Sequence, residues 1–280
     1  MKNVERHKIS SAPIIEKYIG KIASRIPGTV QLLKNNPSYT LGVILADGLE
    51  AVIYAECAGR PHAETIQSFR DYKAMALSNF RFGAGNVPFS EKFYGEEVDF
   101  TPQRKTAFMS VDFWEQAYDA CMLLRDMDGL KFLASVPEEV FVQSDSGAST
   151  SDLSYYRFLA HFFNGGKDTG KLLINAFEEA MKPQSNPVRT KFVELVRIPI
   201  LDLMQAIVEG DNAKFNDYLV EALEGHKKYY GTKENAMATP GWLSMRILAT
   251  CVMAVDAKGF AIEVESDYIP RWLYMGEGIK

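Results

Sequence analysis

At Thr101-Pro102, Asn186-Pro187 and Thr239-Pro240 a hydrogen-bonding residue is followed directly by proline and then by a long helix-forming stretch. A capping side chain satisfies an N–H left over at a helix start, and proline at the first helical position lacks an N–H that would find no partner there. Read with the glycine stops, this grammar predicts helices throughout. Ile14 to Leu33 is weakly amphipathic and broken by Pro27-Gly28, which predicts two short helices. Thr40 to Ala58 is a mostly apolar helix ended at Gly59, and Pro61 starts another that runs to Phe82 before Gly83. Thr101-Pro102 opens a long helix to Met127. Further helices follow from Ser151 or Asp152 to Phe163, from Asp168 to Met181, from Asn186-Pro187 to Glu209 with a kink at Pro199, and from Asp211 to Tyr230. Thr239-Pro240 opens the last, to Lys258, with Gly259 as its left-handed stop. About nine helices with no β–α alternation predict an all-α fold, a single multi-helix bundle.

Two connections depart from this economy. Gln143 to Ser151 is rich in serine and glycine, and it is the one candidate hinge in what is expected to be a single helical domain over 1–280. Gly83 to Phe100 is longer and holds Phe89, Phe93, Tyr94 and Phe100 among Glu91, Glu96, Glu97 and Asp99. Such aromatic density argues against disorder and predicts an irregular or hairpin-like loop around Tyr94-Gly95. Two readings fit it. Its rings pack on the helices, or its aromatics and carboxylates form a docking surface for a basic partner.

Charge is unevenly spread. Residues 1–40 carry seven Lys/Arg against two Asp/Glu, +5, and the remainder carries 24 against 34, −10, giving the overall −5. An acidic body repels phosphate backbones, so nucleic acid is excluded as a partner and a basic protein is favoured. Leu41 to Cys57, the most apolar run, contains Asp47, Glu50 and Glu56 and cannot span a bilayer, so no membrane partner is expected. Residues 1–12 lack the apolar core of a secretory signal, and the three cysteines (57, 121, 251) show no pairing motif. Both point to a reduced, cytoplasmic protein.

The search for chemistry returns little. Gly165 to Lys171 has the spacing of a phosphate-binding loop, but Leu172 stands where Ser or Thr must ligate magnesium, and the preceding segment reads as helix. Gly83-Ala-Gly85 lacks the third glycine of a dinucleotide fingerprint. Histidines 7, 62, 161 and 226 fall at no metal-ligand spacing; His161 reads as a core or boundary residue and His226 as a solvated cation near a helix end. No catalytic residue, cofactor or metal is expected. The carboxylates are better ordered: Asp112, Glu115, Asp119 and Asp126, spaced three, four and seven apart, share one narrow stripe of the helix expected after Pro102. That stripe reads first as a solvated face and second as an acidic docking strip, with catalytic readings behind both.

The last helix, its glycine stop, the short alternation of Ile262 and Val264 with Glu263 and Glu265, and then Glu265-Ser-Asp-Tyr-Ile-Pro270 together resemble the C-terminal end of the immunity protein 49 family. Leu219, Ala222, Leu223, His226 and Tyr229 add a looser likeness. The resemblance implies a predominantly helical bacterial protein that binds and neutralises a cognate toxin domain by occluding it, without turnover. It assigns no toxin contact to these residues. The residues themselves predict an extended segment, turned by Asp267 and anchored by Tyr268 and Ile269. The candidate partner-binding residues are therefore Phe89, Glu91, Phe93, Tyr94, Glu96, Glu97, Asp99, Asp112, Glu115 and Asp119. A helical scaffold that binds a peptide or partner helix is the alternative, and an enzyme with a non-contiguous site around His161 is the third reading. The sequence leaves the oligomeric state open.

Overall fold

A computed structural model of the protein describes residues 2–163 and 166–279. The fold is all-α apart from very short strands. The chain divides into two compact units: residues 10–149 form one, and residues 1–9 with 150–278 form the other. The boundary at Ser149 falls inside the serine- and glycine-rich connector.

The chain starts with a two-residue strand, β1 (Lys2–Asn3), which belongs to the second unit. The first unit then opens with α1 (Ala12–Asn35), α2 (Pro37–Cys57) and α3 (His62–Ala84). Pro27 does not divide α1 as expected. It sits on the exposed side, while Ile15, Ile22, Val30 and Leu33 keep one buried face intact across it, so packing against α2 holds the helix together despite the lost N–H. α2 is buried along most of its length, through Leu41, Ile44, Leu45, Val52 and Ile53. Gly42 lets a ring lie directly on it: a Cβ there would stand 2.2 Å from the Phe108 ring.

A hairpin follows, β2 (Phe89–Phe93) and β3 (Glu96–Phe100), paired antiparallel with Phe89 opposite Phe100. Tyr94 and Gly95 close it, both left-handed (φ 49° and 91°), as a two-residue turn requires. The helix expected from Thr101 begins only at α4 (Val111–Leu123), capped by the Ser110 side chain. Tertiary contacts take the intervening segment: Gln103 N–H donates to the Phe82 carbonyl at 2.9 Å, and Lys105 Nζ donates to Asn79 Oδ1 at 2.6 Å. α5 (Met127–Ala134), capped by Asp126, and α6 (Glu139–Val142) complete the unit.

The second unit contains α7 (Thr150–Phe163), α8 (Thr169–Met181), α9 (Pro187–Phe192), α10 (Ile198–Glu209), α11 (Asn212–Tyr230), α12 (Met245–Lys258), the strand β4 (Val264–Glu265) and α13 (Arg271–Met275). Asn186 and Asp211 cap α9 and α11 through their side chains, and left-handed Gly210 and Gly259 stop α10 and α12. The break expected at Pro199 is a π-helical turn, Val193–Arg197, joining α9 to α10. The wider turn fits a proline ring that an α-turn would force against a carbonyl. The last long helix starts at Met245, not Thr239. Thr239–Gly241 is a 3-10 turn, and Ser244 N–H is drawn away to the Tyr268 carbonyl at 3.0 Å. β1 pairs in parallel with β4, Lys2 beside Val264 and Asn3 beside Glu265.

Candidate partner-binding surface

Strand alternation sorts the hairpin into two faces. Phe93, Val98 and Phe100 are buried; Phe89 stacks on Phe100 with centroids 4.8 Å apart, and Phe82 and Phe93 meet the same ring edge-on. Glu91 lies on this inner side, paired with Arg81 at 3.2 Å. Tyr94 is half-buried, and burial, then Asp71 and Asp47, push its hydroxyl well above the usual tyrosine range. The outer face carries Ser90, Lys92, Glu97 and Asp99, all exposed. Asp99 accepts from the Ser90 hydroxyl at 2.5 Å, and exposed Glu96 pairs with Lys34 of α1 at 2.8 Å. The hairpin aromatics are thus packed inward, and what it offers outward is Glu97 and Asp99 with Ser90 and Lys92 opposite them.

The carboxylate stripe of α4 is placed differently. Asp112 is exposed, Glu115 is half-buried and Asp119 is buried at 3% exposure. Asp126 lies beyond the end of α4, where it caps Gly129 N–H at 2.9 Å and pairs with Lys73 at 2.6 Å. Those contacts hold its carboxyl below the ordinary aspartate range, against the opposing effect of burial. The hairpin packs on α1 and α3, whereas α4 packs on α3 and α5.

Among the clefts of the described residues, three bear on these side chains and their neighbours. One of about 570 Å³ lies between α3 and the hairpin, lined by Arg70, Lys73, Arg81, Glu91, Lys92 and Asp126. Two ion pairs already span it, Lys73–Asp126 and Arg81–Glu91. A second, about 620 Å³, runs beside the π-turn and α11, lined by Glu194, Pro199, Glu221, Glu224, Gly225 and Lys228. Near it Asp202 is pushed up to about 6 by burial and then by Glu221. The third, about 300 Å³, is lined by Gly83, Gly85, Arg104, Lys105, Pro137 and Glu139. Burial pulls the Lys105 amine down to about 8.

No group of three or more metal-ligating side chains is found among the described residues, and none of the three cysteines forms a disulfide. Gly165 lies outside the described residues; the segment before it is the helix α7, and Thr169 to Lys171 open α8. His161 is half-buried. His226 is not the solvated cation expected: it is 3% exposed, lies against the Tyr230 and Tyr268 rings, and its Nε2–H donates to the Gly241 carbonyl at 3.1 Å. Burial lowers it to about 4, so it is neutral at pH 7. The reason is the 3-10 turn, which covers that end of α11 and which the cap-then-proline reading treated as helix.

Sequence reasoning missed the buried Asp119, the half-buried lysine Lys105 and the pairing of the N-terminus with the C-terminal segment. Only Val4, one apolar residue in a polar run, hinted at the last. Among the described residues no helix is long and apolar enough to cross a membrane. Comparison with curated proteins and with solved structures gave no match. Residues 69–273, from within α3 to α13, match the sequence model of Immunity protein 49. With most of its length so matched, the chain belongs to the Immunity protein 49 family.

Proposed function

We propose that the protein is a cytoplasmic bacterial immunity protein that binds one cognate toxin domain and blocks its active site, with no turnover of its own. The observation that carries this reading is the family match over residues 69–273. The acidic balance beyond residue 40, 24 Lys/Arg against 34 Asp/Glu, supports capture of a basic partner. The docking surface we assign is the outer hairpin face, where Glu97 and Asp99 are exposed, with exposed Glu96 beside the turn and Asp112 of α4 as further acidic contacts. Phe89, Glu91, Phe93 and Tyr94 serve that surface by fixing the hairpin on α3. Exposed carboxylates of this kind act chiefly on encounter, steering an oppositely charged partner before short-range contacts form.

The test is co-purification with the toxin domain encoded beside the gene, followed by rescue of growth. A stable complex that restores growth is expected; neither binding nor rescue would remove the reading. Glu97→Lys with Asp99→Lys should slow association roughly tenfold at low salt and leave dissociation nearly unchanged. Unchanged association at low salt would move the docking surface elsewhere while leaving the immunity reading in place.

A further inference from the structure

The first nine residues belong to the unit that the chain completes last. They lie along the C-terminal segment as a strap. Lys2 and Val4 N–H donate to the Glu263 and Glu265 carbonyls at 3.1 and 3.0 Å, and the Arg6 guanidinium donates to the Asp267 carbonyl at 2.7 Å. Lys2 also pairs with Asp217 of α11 at 2.7 Å, and Val4 is buried.

The strap is fastened at His7. Its backbone N–H donates to the Tyr268 hydroxyl oxygen at 3.0 Å, and its Nδ1 stands 2.7 Å from the same oxygen. Since that oxygen already accepts the backbone proton, its own proton is free to point at Nδ1. This arrangement fixes the tautomer: Nδ1 accepts, and Nε2–H faces the Ala236 carbonyl at 3.4 Å. The same carbonyl accepts the Trp242 indole N–H at 2.9 Å. Only a neutral imidazole satisfies the network. A proton on Nδ1 would confront the hydroxyl with a second donor and displace the hydroxyl's own bond.

Burial and the cations facing His7 resist that proton, while the Ala236 carbonyl favours it. Arg6 comes from the strap, and Lys227 and neutral His226 come from α11. Glu224, also on α11, acts on Tyr268, and Tyr230 stacks against His226. The turn before α12 contributes the Ala236 and Gly241 carbonyls, and the C-terminal segment contributes Tyr268 with the Asp267 carbonyl.

We propose that His7 and Tyr268 form an acid-released latch that holds residues 2–9 against Val264 and Glu265. Burial is the largest cause that lowers the His7 imidazole; the Ala236 carbonyl opposes it, and Arg6 and Lys227 reinforce it. The folded-state value thus lies below the free one. The stabilising contribution is complete above the ordinary histidine range and is lost as pH falls through the folded value. The latch gives the Glu265-Ser-Asp-Tyr-Ile-Pro270 segment a concrete role as the receiver of residues 2–9.

The test is amide exchange on the full-length protein, with protection factors compared between about pH 7.5 and about pH 4.5. The amides of Lys2, Val4 and His7 should lose at least about tenfold more protection than those of Leu248 and Val252 in α12. His7→Asn, whose Oδ1 can take the place of Nδ1 without titrating, should flatten that loss. Tyr268→Phe should leave the strap amides unprotected already at about pH 7.5. If strap and α12 amides lose protection in step, acid opens the whole unit and there is no latch. A His7→Asn protein with the wild-type pH response would overturn the proposal equally, and does so even if Tyr268→Phe fails to fold.

Discussion

Lys105 is a cation held among neutral partners. Its ammonium reaches Asn79 Oδ1 and the Ser38 carbonyl and lies 5.7 and 5.9 Å from the Phe82 and Phe108 ring centres. The rings offset part of the desolvation that lowers it to about 8. An unfolded chain keeps that proton up to about pH 10.4, so between the two values the unfolded state holds more protons and stability rises with pH. The full gain is at most about 3 kcal/mol. Urea unfolding of the wild type and of Lys105→Met checks this. The difference in stability, wild type minus variant, should grow in favour of the wild type between about pH 7.5 and about pH 10. A constant difference would mean that Lys105 keeps its ordinary affinity for protons. Nothing in the sequence around Lys105 distinguishes it from the exposed lysines; its burial comes from the fold of residues 101–110 over α2 and α3.

Among the elements, the π-turn and α11 meet backbone to backbone, because Gly225 has no Cβ. One built there would stand 2.2 Å from the Leu195 carbonyl oxygen, a backbone atom that cannot step aside. Gly225→Ala should therefore cost more than about 2 kcal/mol, whereas Gly20→Ala on the open side of α1 should gain about 0.5–1 kcal/mol. Thermal unfolding of the two variants decides it, and equal effects would contradict the close approach. This contrast marks what could be read in advance. Asn186, Asp211, Gly210 and Gly259 act on their own backbone, so their helix boundaries were legible from the sequence. Thr101-Pro102 and Thr239-Pro240 carry the same local signal, but Phe82, Asn79 and Tyr268 claim the groups that would have continued those helices. The hairpin was legible because Tyr94-Gly95 and its flanking aromatics are themselves a turn between strands. The exposed carboxylates of the candidate surface were legible as a group, but which of them face outward was not. Alternation places Glu91 with Phe89 and Phe93, and Glu97 opposite to Val98 and Phe100, only once the segment is known to be two strands, and no helical period separates buried Asp119 from exposed Asp112.

At the scale of the whole molecule, the connector around Ser149 is where the two units part. Its first residues are tied down: Ser144 is buried, and Asp145 N–H donates to the Thr106 carbonyl at 3.3 Å. Gly147 and Ser149 are exposed, and limited proteolysis with a protease of broad specificity should cut first between Ser146 and Thr150. A first cut inside the hairpin would show instead that β2 and β3 are held less firmly than their stacked rings require. The strap also has a consequence in time. During synthesis residues 2–9 emerge before everything they touch, for Arg6 and His7 bond to residues 261 positions later. The unit of residues 10–149 has all its parts once residue 149 is made, but the other must wait for Asp267 and Tyr268 before residues 2–9 can dock. The protein is thus expected to mature in two instalments, with residues 2–9 idle while the first unit is made and folds.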